Sequence, residues 1–125
     1  MRYALFVLLS GQLTGSSLGV INDTQVYACA ECKTHLSTDE RVMSKEFHTQ
    51  NGRGYLIRDV INVTNGPSDR RTLMTGLHTC EDVYCITCNT MVGWEYKWAF
   101  EKKEKYKVGN FVLEEVKIAK YHWDS

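Results

Sequence analysis

Two short cysteine pairs, far apart in the chain, constrain its fold more than any other feature. Cys29-Ala30-Glu31-Cys32 and Cys85-Ile86-Thr87-Cys88 are both C-x-x-C, with fifty-two residues between Cys32 and Cys85. Two residues between cysteines let one tight turn aim both sulfurs at one ion. Two such turns supply the four thiolates of a closed tetrahedral zinc site. A lone C-x-x-C is ambiguous between redox chemistry and metal, whereas two of them in one small domain favour a single shared zinc. Disulfides or a redox dithiol are the readings that the spacing leaves open. With four protein sulfurs on the ion, no position is left to activate water, so the expected role of the metal is structural.

The remainder of the chain fits such a role. Its 125 residues suit one domain that holds a core and gains from a staple. Fifteen Lys and Arg balance fifteen Asp and Glu, so no net field draws the chain to nucleic acid or to an anionic membrane. No run approaches the roughly 18 apolar residues of a membrane span. The first 24 residues read as an N-terminal strand over Tyr3 to Leu9 and a small, polar loop. The alternative is a cleaved secretion signal ending near residues 17–19, with sequons at Asn22 and Asn62 to match. The short apolar core and the four-thiolate pattern favour the strand and a reducing compartment.

From residue 25 the chain alternates strand formers with turn signals, the pattern of an all-β domain. Val26-Tyr27-Ala28 leads into the first cysteine pair. Short strands are expected over Val42–Phe47, Tyr55–Ile57, Val60–Val63 and Arg71–Thr75. Leu77–Tyr84 delivers the second cysteine pair, Met91–Trp98 is aromatic and apolar around Gly93, and Phe111–Leu113 with Val116–Ile118 makes a final strand with polar interruptions. Asn51-Gly52-Arg53-Gly54 and Asn65-Gly66-Pro67-Ser68 read as turns. Only the charge-rich stretch from Ala99 to Lys107 fits a helical turn or two, and its alternating signs suggest a solvated face. A domain over residues 25–119 is expected, with 120–125 as a tail outside the core.

Cys80, the fifth cysteine, reads as a small buried hydrophobe, with a reactive thiol as the alternative. His35, His48, His78 and His122 form no metal-spaced pair.

Taken together, the spacing resembles the Yippee-like zinc-binding family. The resemblance rests on the two cysteine pairs, on Tyr27-Ala28-Cys29-Ala30-Glu31-Cys32-Lys33-Thr34-His35-Leu36, and on Leu73-Met74-Thr75-Gly76-Leu77-His78. Gly52, Leu56, Asn62, Gly93-Trp94-Glu95-Tyr96, Lys107 and Glu114 extend it, so that it covers about Tyr27 to Ile118. Residues 11–23 resemble an insertion relative to the family's shorter lead-in. The resemblance implies two antiparallel sheets meeting at an angle, pinned by one structural zinc on Cys29, Cys32, Cys85 and Cys88. This β-tent fold is shared with the thalidomide-binding domain of cereblon, with Mis18 and with methionine-R-sulfoxide reductases. It further implies a non-catalytic protein-interaction or adaptor module in nucleus and cytoplasm, with roles in cell division or ubiquitin-ligase assemblies. By analogy with cereblon, a small-ligand pocket falls at Trp94 and Tyr96, with Met74 and Cys80 near the remaining cage positions. Those two are not tryptophans, which leaves the cage incomplete and Trp94 better read as core. The sulfoxide reductases carry their catalytic cysteine after the second pair. No cysteine follows Cys88 here, so a reductase using Cys80 is the enzymatic alternative.

Overall fold

The computed structural model describes residues 25–122. The strand expected over Tyr3 to Leu9 lies outside them. Nine strands follow in order: β1 Gln25–Cys29, β2 His35–Thr38, β3 Val42–Thr49, β4 Gly52–Ile57, β5 Val63–Leu73, β6 Gly76–Cys85, β7 Met91–Ala99, β8 Phe111–Glu114 and β9 Ile118–His122. They build a three-stranded sheet, β2-β1-β9, and a six-stranded sheet, β3-β4-β8-β7-β6-β5. Every pairing is antiparallel. This is the expected mainly β, two-sheet architecture.

The two-residue period of the strands divides the large sheet into two apolar faces. Tyr55 and Ile57 of β4, Val92 of β7 and Leu113 of β8 face one way. They pack with Tyr27, Cys29, Leu36 and Ile118 of the small sheet to form the main core. Leu56 and Val112 alternate with them and face the other way, joining Cys80 and Tyr96 in a second cluster flanked by Phe47, Leu73 and Trp94. A register shift where β7 passes Val92 puts Val92 and Tyr96 on opposite faces. At roughly 1.5–3 kcal/mol for each large side chain removed from water, the two clusters supply the main driving force for folding.

Two hairpins turn on glycines with positive φ, Gly52 at 127° after Gln50-Asn51 and Gly76 at 113° after Met74-Thr75. Asn65-Gly66-Pro67-Ser68 does not turn the chain. It lies inside the eleven-residue β5, where the register with β6 shifts between Asn65 and Ser68. Glycine and proline produce a bulge there instead of a reversal, and proline is tolerated because β5 is an edge strand. Residues 60–62 are not a strand but the connection into β5. At the other end β9 pairs Lys120, Tyr121 and His122 with Tyr27, Val26 and Gln25 of β1, past the domain end expected at residue 119. Those three residues are exposed, so they extend the sheet without entering the core.

The charge-rich stretch forms the expected short helical segment, a 3-10 turn over Lys102–Lys107, but it is not a uniformly solvated face. Glu104 and Lys107 are buried and lie 2.7 Å apart as an ion pair. The Lys107 ammonium also donates to Thr75 Oγ1 at 2.9 Å. It sits over the rings of Phe47 and Tyr96 at 5.3 Å and of Tyr106 at 6.0 Å. Alternating charge marked the segment as polar but could not reveal which lysine snorkels inward.

Candidate metal centre

Both cysteine pairs stand at strand ends. Cys29 closes β1 and Cys85 closes β6, and each is followed by a tight turn carrying its second cysteine. The two turns share one hydrogen-bond pattern. Lys33 N–H donates to Cys29 O and Asn89 N–H to Cys85 O, both at 2.8 Å. Cys29 N–H donates to Thr34 O and Cys85 N–H to Thr90 O, again both at 2.8 Å. The residue after each second cysteine is left-handed, Lys33 at φ 68° and Asn89 at φ 63°. Two copies of one local design therefore present four sulfurs to one point.

The sulfurs fit a metal. All four Sγ atoms lie within 4.8 Å of one another. Cys29 to Cys88 is 3.6 Å and Cys32 to Cys85 is 3.5 Å. A tetrahedron with Zn–S bonds of about 2.3 Å has edges of about 3.8 Å, so these separations match a tetrathiolate and far exceed a disulfide bond of about 2.05 Å. All five cysteines are free thiols. Burial pushes the Cys29 thiol up to about 12. At Cys32 burial also raises the pKa, but hydrogen bonds from Thr34 and the neighbouring sulfurs outweigh it and bring the thiol down to about 7. Ligation by these sulfurs requires them as thiolates, so metal binding releases protons.

Three residues support the sulfurs in a role that the sequence reading does not give them. Thr34 Oγ1 lies 3.2 Å from Cys32 Sγ, and Thr90 Oγ1 lies 3.1 Å from Cys88 Sγ. Each threonine is two residues past the second cysteine of its pair, so the repeated unit is C-x-x-C-x-T, a signal visible in the sequence. Hydroxyls beside ligating sulfurs orient them and stabilise the thiolate form. Thr34 Oγ1 also lies 2.8 Å from Thr87 Oγ1, joining one turn to the other. The third residue is Asn62, in the connection before β5. Its side-chain amide donates to His35 O and its carbonyl accepts from Ile86 N–H, both at 2.8 Å. Its φ of 62° is one that asparagine tolerates better than most residues. Asn62 thus bridges the segments leaving both turns, and its amide nitrogen is already engaged.

The four residues considered for a ligand pocket separate. Cys80 and Tyr96 are buried in the second cluster with Trp94 packed beside them. Trp94 meets Tyr96 edge-on, with ring centroids 6.2 Å apart. Met74 is 93% exposed in the β5–β6 turn and is not part of the cluster. The cation over the Tyr96 ring comes from Lys107 of the same chain. Desolvation raises the buried Cys80 thiol to about 11, which removes the thiolate that a nucleophile needs.

Comparison with known proteins agrees with this geometry. A yippee-like protein of Arabidopsis thaliana is 50% identical over 97 residues, covering 78% of this chain and 80% of the relative. A yippee-like protein of Solanum tuberosum is 44% identical over 105 residues, 81% of each chain. Yippee-like 4 of Rattus norvegicus is 41% identical over 101 residues, 80% of each. The crystal structure of the Mis18 "Yippee-like" domain shares the fold at a TM-score of 0.65 and 13% identity, covering 82% of this chain and 99% of that one. The family model described as Yippee zinc-binding/DNA-binding /Mis18, centromere assembly, matches residues 25–125. Paired four-sulfur turns, two antiparallel sheets and this match together assign the chain to the Yippee/Mis18 zinc-binding family.

Proposed function

We propose that the protein is a non-catalytic interaction module whose fold is pinned by one structural zinc on Cys29, Cys32, Cys85 and Cys88. The observation that carries this reading is the closed donor set: four sulfurs within 4.8 Å leave no ligand position for water or substrate. The buried Cys80, with its raised pKa, offers no ready nucleophile for reductase chemistry. The family description, which names centromere assembly, supports a partner-binding role, with cell-division or ubiquitin-ligase assemblies as the settings that the family resemblance suggests. A four-thiolate zinc site suits a reducing compartment, and the family resemblance suggests nucleus and cytoplasm. Nucleic acid and membranes have no part in this reading.

Native mass spectrometry of the purified chain tests the metal. One zinc per chain, with those four thiols protected from alkylation, is expected. A metal-free folded protein, or disulfides among the four, overturns it. Turnover of a methionine-R-sulfoxide substrate that depends on Cys80 overturns the non-catalytic assignment.

A further inference from the structure

We infer that the end of the large sheet remote from the cysteines is a docking strip for an acidic, apolar segment of a partner protein. The inference rests on the interaction-module reading and gives that module a surface. Cross-strand register places Arg70, Thr79 and Trp98 in one row across β5, β6 and β7. Two rows on, Thr72 stands opposite Leu77, and Phe100 N–H donates to Leu77 O. Trp98 and Phe100 are 38% and 62% exposed and touch, with ring centroids 6.1 Å apart. The two rings form one exposed apolar patch at this end of the sheet.

The charge around these rings identifies the occupant. Arg70 and Lys105 lie over the Trp98 ring at 5.7 and 5.5 Å. Lys105 is held there by donating to Ala99 O at 2.6 Å. Lys102 and Lys103 follow directly after Phe100-Glu101. Among the described residues, no carboxylate pairs with Arg70, Lys102, Lys103 or Lys105. The chain as a whole is neutral, so this is a local excess of positive charge, concentrated beside apolar rings. Carboxylates flanking a leucine or aromatic side chain match it: the apolar group lies on Phe100 and Leu77, and the acids meet Arg70 and Lys105. Tryptophan and arginine are also the residues that most often anchor protein interfaces. A nucleic-acid strand fits less well. The Trp98 ring already carries a guanidinium and an ammonium and is not a bare stacking platform for a base.

The test uses the full-length, zinc-loaded protein and a displayed peptide library, with a labelled thymidine oligonucleotide in parallel. Peptides enriched on the wild type should combine Asp or Glu with apolar side chains. A synthetic copy of the best of them should bind at least about tenfold more weakly to the Arg70→Glu/Lys105→Glu variant and to Phe100→Ser, and binding should weaken with salt. An unchanged thermal midpoint and zinc content would show that the variants fold. Enrichment without acidic bias, peptide binding unaffected by the variants, or tighter binding of the oligonucleotide overturns the docking strip. Affinity purification separates the two readings. Partners retained equally by wild type and charge-reversed variant remove this surface but keep the interaction module, whereas zinc-loaded wild type that retains none, and enriches no peptide, removes both.

Discussion

Replacing Asn62 separates the two jobs that this residue performs between the cysteine turns. Its amide donates to His35 O at 2.8 Å, and its backbone is left-handed at φ 62°. Asn62→Gly removes the hydrogen bond but suits the backbone, so it should cost about 1 kcal/mol, the net value of one such bond. Asn62→Ala loses the same bond and also places a Cβ in a conformation that costs an ordinary residue about 1 kcal/mol more. The expected loss for alanine is therefore about 2 kcal/mol, by the same arithmetic. Asn62→Asp keeps the backbone preference but turns an acceptor toward the carbonyl of His35, so it should be at least as costly as alanine. Denaturant unfolding of the zinc-loaded proteins, followed by circular dichroism, measures the order. Transfer of zinc to a chromophoric chelator should accelerate in the same sequence, because Asn62 O also holds Ile86 N–H beside the second pair. Glycine as damaging as alanine would refute the backbone argument. An aspartate variant indistinguishable from wild type would refute the donor role.

Other perturbations test other parts of the fold. A Cβ on Gly93 would meet Val112 O at 1.9 Å and Leu113 Cα at 3.0 Å; Gly93→Ala should therefore force β7 from β8 and cost about 3 kcal/mol or more, read as a lowered thermal midpoint. Lys107→Met should cost about 3–5 kcal/mol by stranding Glu104, and adding Glu104→Leu should recover much of it in a double-mutant cycle. Cys80 should resist alkylation in the native, zinc-loaded protein and react only after denaturation, as scored by peptide mass mapping. The Asp39 carboxyl is held below its ordinary range first by the Tyr27 hydroxyl and then by Lys45. Its contribution to stability is thus present above the ordinary carboxylate pKa and is lost as pH falls through the lowered one. The stability gap between wild type and Tyr27→Phe should accordingly narrow on acidification.

The cysteine turns were legible because their spacing directly encodes a local backbone shape. Most strands were legible because valine, isoleucine and tyrosine alternate with polar residues along them. What escaped was long-range. Asn65-Gly66-Pro67-Ser68 has the composition of a turn, and only its place on a sheet edge opposite β6 makes it a bulge. Lys120 to His122 carry little core character. They become a strand because β1 offers them a partner, and because Lys120 reaches Tyr55 and Glu115. Asn62 looked like a glycosylation acceptor until the segments on either side of it were folded together. The C-x-x-C-x-T repeat, by contrast, is visible in the sequence, but only the contacts of Thr34 and Thr90 with Cys32 and Cys88 give its threonines a role.

The buried position of Lys107 has a consequence for any attempt to dose this domain with a cationic compound. The seat formed by Phe47, Tyr96 and Tyr106 is already taken by an ammonium tethered to the same backbone. A tethered group competes at an effective concentration on the order of millimolar, and here Glu104 and Thr75 hold it as well. A free alkylammonium must outbid that resident before it gains anything from the rings. The recess is thereby closed to casual amines, while shortening the lysine by substitution would turn the same three rings into a receptor for them.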